Sequence, residues 1–235
     1  MPAGQLGIKV NKVSIALPYW EAKKTQYGAV VIVKGGEQPQ WSPLLAHFAK
    51  QLSQYGWSVV LLNCNKNVTI PWISQLPPAI GALRKAKNNR IILLHYGDQL
   101  TQSLDYFSKP QAKGINGMIL LSAFDDQKNI NPQTSSFRFP LFDIVGQFDY
   151  DWIVDQMLER GTQYKRPNYL ALEVPGAQHD YEYSRDILLS FVHGWMIKLP
   201  ESKPESAPIL VSYIEPVSLL ESRIISIRED GYILH

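Results

Sequence analysis

Three short segments, far apart along the chain, carry the residue types of a nucleophile–acid–base relay, and the first of them lacks its nucleophile. His95-Tyr96-Gly97-Asp98-Gln99 follows directly on the apolar run Ile91 to Leu94. A sharp turn from a buried strand into a helix is where many acyl-transfer enzymes hold a serine, in the pattern G-x-S-x-G. The neighbours are small because the turn is strained and the helix packs close to the strand. Counting from the strand end puts Gly97 at the serine position. Glycine takes up strained turn dihedrals at little cost, but it brings no nucleophilic atom.

The other two roles fall in the chain order such a relay requires, nucleophile, then acid, then base. Asp149 closes Gly146-Gln147-Phe148-Asp149 after the apolar strand Leu141 to Val145, and His179 sits in Pro175-Gly176-Ala177-Gln178-His179-Asp180 after the strand Tyr169 to Val174. The acid would orient the imidazole and stabilise its charged form, and the imidazole would take a proton from the nucleophile. Asp98, one residue past the turn, is an alternative nucleophile, since carboxylates form covalent intermediates, but that register puts bulky Tyr96 where a small residue belongs. Gly35 and Gly36, after the strand Ala29 to Val33, stand where backbone N–H groups could approach a developing oxyanion. His95 and Tyr96 are candidate pocket residues, with a hydrogen-bonded structural role as the plainer reading of His95. Asp143 is a carboxylate inside an apolar strand, which points to a buried, hydrogen-bonded group. Asp125-Asp126 reads as a solvated loop following a strand end. No histidine pair has metal-ligand spacing and Cys64 is the only cysteine. Neither a metal nor another cofactor is therefore expected.

These residues need a scaffold of strands and helices in alternation. Short β-branched runs alternate with segments of helical period, which predicts a mainly parallel sheet with helices on both faces. Val10 to Leu17 reads as one early strand at a sheet edge, and about seven strands are expected in all. Helices are expected at Leu44 to Gln54, Ile70 to Ala86, Leu100 to Phe107, Tyr150 to Tyr164 and Tyr183 to Leu199. Pro77 and Pro78 should break or restart the second. The last should bury Ile187, Leu188, Phe191 and Trp195. A linker, PESKPESAP, begins at Pro200. The expected organisation is one domain over residues 1–199 and an extension over 200–235, with short strands at Ile209 to Ile214 and Arg223 to Ile227.

Taken in order, several of these features resemble a bacterial family of uncharacterised proteins with an α/β-hydrolase fold, known as a domain of unknown function. The resemblance runs over roughly residues 13 to 198. It rests on Ala29 to Val33 with Gly35-Gly36, on Trp41, on Tyr55-Gly56-Trp57, and on the turn at His95-Tyr96-Gly97. It continues through Pro140, Arg160 and Gly176-Ala177-Gln178-His179-Asp180. The resemblance implies an α/β-hydrolase-like fold in which glycine commonly replaces the serine. The chain departs from the general hydrolase pattern at Lys34, where histidine often stands, and at Gln99, where glycine often stands.

Composition narrows the partners. The 235 residues carry a formal net charge of +2, with no basic run longer than Lys23-Lys24, so neither nucleic acid nor an anionic surface is favoured. No apolar stretch approaches the ~20 residues that span a bilayer, and Met1 to Lys12 has no leader pattern. A soluble cytoplasmic protein is expected. The leading functional expectation is a degenerate hydrolase, a pseudoenzyme whose nucleophile elbow binds a small molecule or a protein partner. The alternatives are an active hydrolase of ester-type substrates, using His179 and Asp149 with water or with Asp98, and a scaffold assembled through the C-terminal extension.

Overall fold

The computed structural model describes residues 4–36, 43–62, 70–109, 114–125, 139–164 and 168–202. Trp41, Cys64, Asp126 and the strands expected beyond residue 208 lie outside them. By its contacts the chain divides into Met1–Lys203 and Pro204–His235, and the elements below belong to the first unit.

The N-terminal segment is a hairpin rather than the single strand expected. β1 (Gly4–Val10) and β2 (Val13–Trp20) pair antiparallel with Val10 opposite Val13. Asn11 and Lys12 between them both take positive φ, 47° and 70°. Two left-handed residues in a two-residue loop match the twist of the flanking strands and reverse the chain. Asn11-Lys12 puts two polar residues in succession and shifts the apolar positions by one, a small break that marks the turn only weakly.

From there strands and helices alternate: β3 (Gly28–Gly35), α1 (Pro43–Gln54), β4 (Trp57–Leu61), α2 (Trp72–Lys85), β5 (Ile91–Gly97) and α3 (Leu100–Ser108), then β6 (Gly117–Leu121), β7 (Leu141–Phe148), α4 (Asp151–Gln163), β8 (Tyr169–Gln178) and α5 (Arg185–Met196). The eight strands form one sheet in the order β1-β2-β4-β3-β5-β6-β7-β8. β4, β3, β5, β6, β7 and β8 run parallel, and β2 meets β4 antiparallel.

Alternate residues of each strand face opposite sides. Val30, Ile32, Ile92 and Leu94 pack with Phe48 and Leu52 of α1 and Leu188 and Val192 of α5. Ala29, Val31 and Leu93 pack on the other side with Leu76 and Leu83 of α2 and Leu104 and Phe107 of α3. β3, β5 and β6 are sandwiched by helices on both faces, which is why they read as continuous apolar runs.

Two helices differ from expectation. α2 runs unbroken through Pro77 and Pro78. The prolines remove only the bonds to the Ile73 and Ser74 carbonyls, while the helix buries Trp72, Leu76, Ala79, Ile80 and Leu83. α5 is rotated from the expected face: Leu188, Leu189, Val192 and Met196 are buried, whereas Ile187 and Phe191 are 44% and 36% exposed. Beyond α5 the chain is held at the N-terminal ends of the central strands. Arg90 Nε donates to the Leu199 carbonyl at 2.8 Å and Arg84 Nη2 to Ser202 Oγ at 3.1 Å.

Candidate functional site at the Gly97 turn

Parallel strands bring their carboxyl ends to one edge of the sheet, where ligands of open α/β folds bind. At that edge β3 ends in Lys34-Gly35, followed by Gly36, and β5 ends in Gly97. β6 leads into Ser122, β7 into Asp149 and β8 into His179.

The turn itself is tightly built. Gly97 has φ +82°. A β-carbon there would meet a single neighbour within 4 Å, the Gly35 carbonyl oxygen at 3.6 Å. Space for a side chain therefore exists, and the backbone is what favours glycine. Gly35 is different: a β-carbon there would run into the Asp98 carbonyl, so glycine is required for β3 to approach the turn. Gly36, at φ +85°, lies against the Asp98 side chain. Gln99 takes the left-handed conformation (φ 64°, ψ 31°) at the start of α3. Its amide donates to Asp98 Oδ1 at 2.6 Å and its side chain accepts from Trp72 Nε1 at 3.2 Å. That anchor lets glutamine stand where the general pattern has glycine.

His95 lies wholly in the interior beneath the turn. Its Nε2 donates to the Asp98 carbonyl at 2.9 Å, so the neutral ring accepts at Nδ1 from Ser103 Oγ at 2.8 Å. Burial lowers its pKa to about 4 against the smaller opposing pull of its hydrogen bonds to Asp98 and Gly97. The ring braces the turn in its neutral form. On the α3 side, Thr101 donates its N–H and hydroxyl to Asp125. Burial raises the Asp125 carboxyl against those bonds.

Asp149 and His179 are brought together, with Nδ1 2.8 Å from Oδ1. The carboxylate also accepts from the Tyr150 amide at 2.9 Å and, through Oδ2, from the Ser122 hydroxyl in a short bond. Ser122 has one proton to give, so Tyr181 is the donor in the 2.8 Å contact between their hydroxyls. Burial pushes the Asp149 carboxyl up, but the bonds from His179, Ser122 and Tyr150 outweigh it and hold it below the usual range. A carboxylate ionised in this way fixes the imidazole with Nδ1–H toward the acid and Nε2 toward the far side of the ring. The His179 side chain is 28% exposed. The Tyr96 hydroxyl reaches the His179 carbonyl at 3.5 Å and the two rings lie 5.6 Å apart, which sets the imidazole against the residue preceding Gly97.

Ser122 and Tyr181 were not foreseen from the sequence. Both are buried and both have positive φ, 41° and 53°. A lone serine after a strand and a tyrosine past a histidine carry no pattern to announce them. For Ser122→Ala we expect the Asp149 carboxyl to titrate at higher pH in a carbon-detected NMR titration. Stability should fall by about 1.5–3 kcal/mol, the usual worth of a hydrogen bond to a charged group. An unmoved titration would remove Ser122 from the relay. Among the described residues no group of three or more His, Cys, Asp or Glu side chains is placed to hold a metal ion. No helix among them is long and apolar enough to cross a membrane.

No family model and no curated protein matches the sequence. Solved structures do match the fold. An α/β serine hydrolase homologue from Coxiella burnetii superposes with TM-score 0.64 at 13% identity, over 83% of this chain and 98% of that one. Dienelactone hydrolase from Anabaena variabilis gives 0.64 at 15% identity, over 83% and 96%. Est1E from Butyrivibrio proteoclasticus gives 0.61 at 13% identity, over 83% and 98%. The chain has an α/β-hydrolase fold. The α/β-hydrolase frame hosts many chemistries, so what this chain does rests on the residues at the turn.

Proposed function

We propose that this α/β-hydrolase-fold protein is a degenerate hydrolase, which binds a small molecule or a partner at the Gly97 turn without forming a covalent intermediate. The observation that carries the reading is the turn itself. Gly97 stands at the end of β5 with no side chain, on a chain whose Asp149 and His179 are assembled as a hydrogen-bonded pair. The pair retains the ability to hold or accept a proton at Nε2, and next to a turn whose Gly97 offers no nucleophilic atom that ability serves ligand recognition. Asp98 supports the same reading. Its carboxylate accepts from the next amide in its own turn and lies against Gly36, where negative charge opposes a developing oxyanion.

The assembled pair also favours a second reading, hydrolysis of esters by a water activated at His179. Turnover of short p-nitrophenyl acyl esters separates the two. The proposal expects the same background rate for wild type and His179→Ala. Turnover that His179→Ala abolishes would replace the proposal with the second reading. The C-terminal residues 200–235 are proposed to be an extension of the hydrolase-like domain of residues 1–199.

A further inference from the structure

The aromatic side chains around the turn form a connected series. Phe124 is tied to the turn by its amide, which donates to the Gly97 carbonyl at 3.0 Å. Its ring meets Trp152 edge-on, with centroids 4.5 Å apart. Trp152 stacks on Tyr150 at 6.3 Å and 21°, and Tyr150 lies 5.2 Å from the His179 ring. His179 in turn lies against Tyr96, which precedes Gly97. The series thus leaves the turn on one side and returns to it on the other.

Two of these rings are poorly covered: Tyr150 is 57% and Trp152 43% exposed. Large aromatic faces left in water beside an acid–base pair are the kind of surface that binding sites present. The two exposed rings are near-parallel, which suits a flat ligand laid against them. Among the described residues, charge at this edge is mainly acidic. Asp98 and Asp125 are half-buried near the turn and interact with each other, and Asp151 opens α4, against Lys34 at the end of β3. Aromatic faces and carboxylates both attract cations, and an electron-rich ring attracts a cation more strongly once it is desolvated.

We propose that the turn and its aromatic series form a binding site for a planar, positively charged aromatic compound of the N-heterocycle class, stacked against Trp152 and Tyr150. This deepens the proposed function and rests on it, because the aromatic series is tied at both ends to the Gly97 turn. Anionic aromatic compounds are disfavoured by the carboxylates, and non-aromatic cations lose the stacking.

Isothermal titration of the full chain with N-methylquinolinium, 2-naphthoate and cyclohexylammonium tests it, and no turnover is needed. N-methylquinolinium should bind one per chain and at least about tenfold tighter than either of the others. Trp152→Leu and Tyr150→Leu should each weaken it about tenfold, the factor expected from losing ~1.4 kcal/mol of stacking and cation–π attraction. Both side chains are exposed, so the variants should unfold at the wild-type denaturant midpoint, which is checked alongside. Equal affinity for 2-naphthoate, wild-type affinity in both variants, or no heat with N-methylquinolinium would each overturn the site. The last of these, in a protein that also fails to turn over esters, overturns the site alone. Binding lost in Trp152→Leu, in a protein that turns over esters through His179, upholds the site and overturns the non-catalytic reading.

Discussion

Asp143→Ala is expected to cost about 3–5 kcal/mol of stability, the usual cost of stranding one member of a buried ion pair. Asp143 lies on β7 with no exposure. It takes a two-pronged interaction from Arg160 of α4, Nε to Oδ2 at 2.6 Å and Nη2 to Oδ1 at 3.0 Å. The Tyr169 hydroxyl completes the shell, donating to Oδ2 at 2.7 Å. Burial and the neighbouring carboxylate push the Tyr169 hydroxyl far above its usual pKa, so it remains a donor at any working pH. Removing the carboxylate leaves a buried guanidinium without its counter-charge. Guanidinium chloride unfolding of Asp143→Ala measures the loss. The double variant Asp143→Leu/Arg160→Met should recover most of it, since apolar replacement of a whole buried pair is often neutral. A single-variant loss below about 1 kcal/mol, or a double variant no better than the single, would show that the pair is not the tie between these elements. The tie matters for the site because Asp149 lies between β7 and α4, the two elements that this pair joins.

The second large effect is a pH dependence from His95. Its pKa is about 4 in the folded protein, against about 6.5 in an unfolded chain. Between those values the unfolded chain binds a proton that the folded protein refuses, so stability falls as pH drops through the window. At ~1.4 kcal/mol per pH unit the accumulated loss is about 3 kcal/mol by pH 4, with no further loss from this group below that. Asp149 acts in a lower window. Its carboxyl is held below the usual range, so its contribution is complete above the ordinary carboxylate pKa and is lost as pH falls beneath it. Unfolding midpoints of wild type and His95→Gln at pH 7, 6, 5 and 4.5 isolate the histidine. The wild-type curve should descend more steeply toward pH 4.5 than that of the variant. Parallel curves would contradict the buried neutral ring.

Much of this arrangement was legible in the sequence because burial leaves a pattern. A strand covered on both faces reads as an unbroken apolar run, and Ile91 to Leu94 does so. Knowing where that run ends is enough to place Gly97, and chain order then picks out Asp149 and His179 as neighbours. What stayed hidden depends on dihedral angles or on partners distant in sequence. The hairpin at Asn11-Lys12 turns on two positive φ values that neither residue type demands. The sequence points the α5 face a fraction of a turn away from the buried one, since Ile187 and Phe191 are as apolar as the residues that are buried. Ser122 and Tyr181 reach Asp149 only because β6, β7 and the turn after β8 meet in space. Asp143 could be seen to need a partner, but only the packing of α4 on β7 identifies Arg160.

The proposed function rests on Gly97 offering the Asp149–His179 pair no nucleophile to activate. The intact mass of the protein after prolonged exposure to an alkyl fluorophosphonate tests it most directly, because such reagents stay bonded to an activated serine. The unmodified mass is predicted for wild type and for His179→Ala alike. A stoichiometric adduct on wild type that His179→Ala abolishes would show an activated nucleophile elsewhere in the chain and contradict the claim.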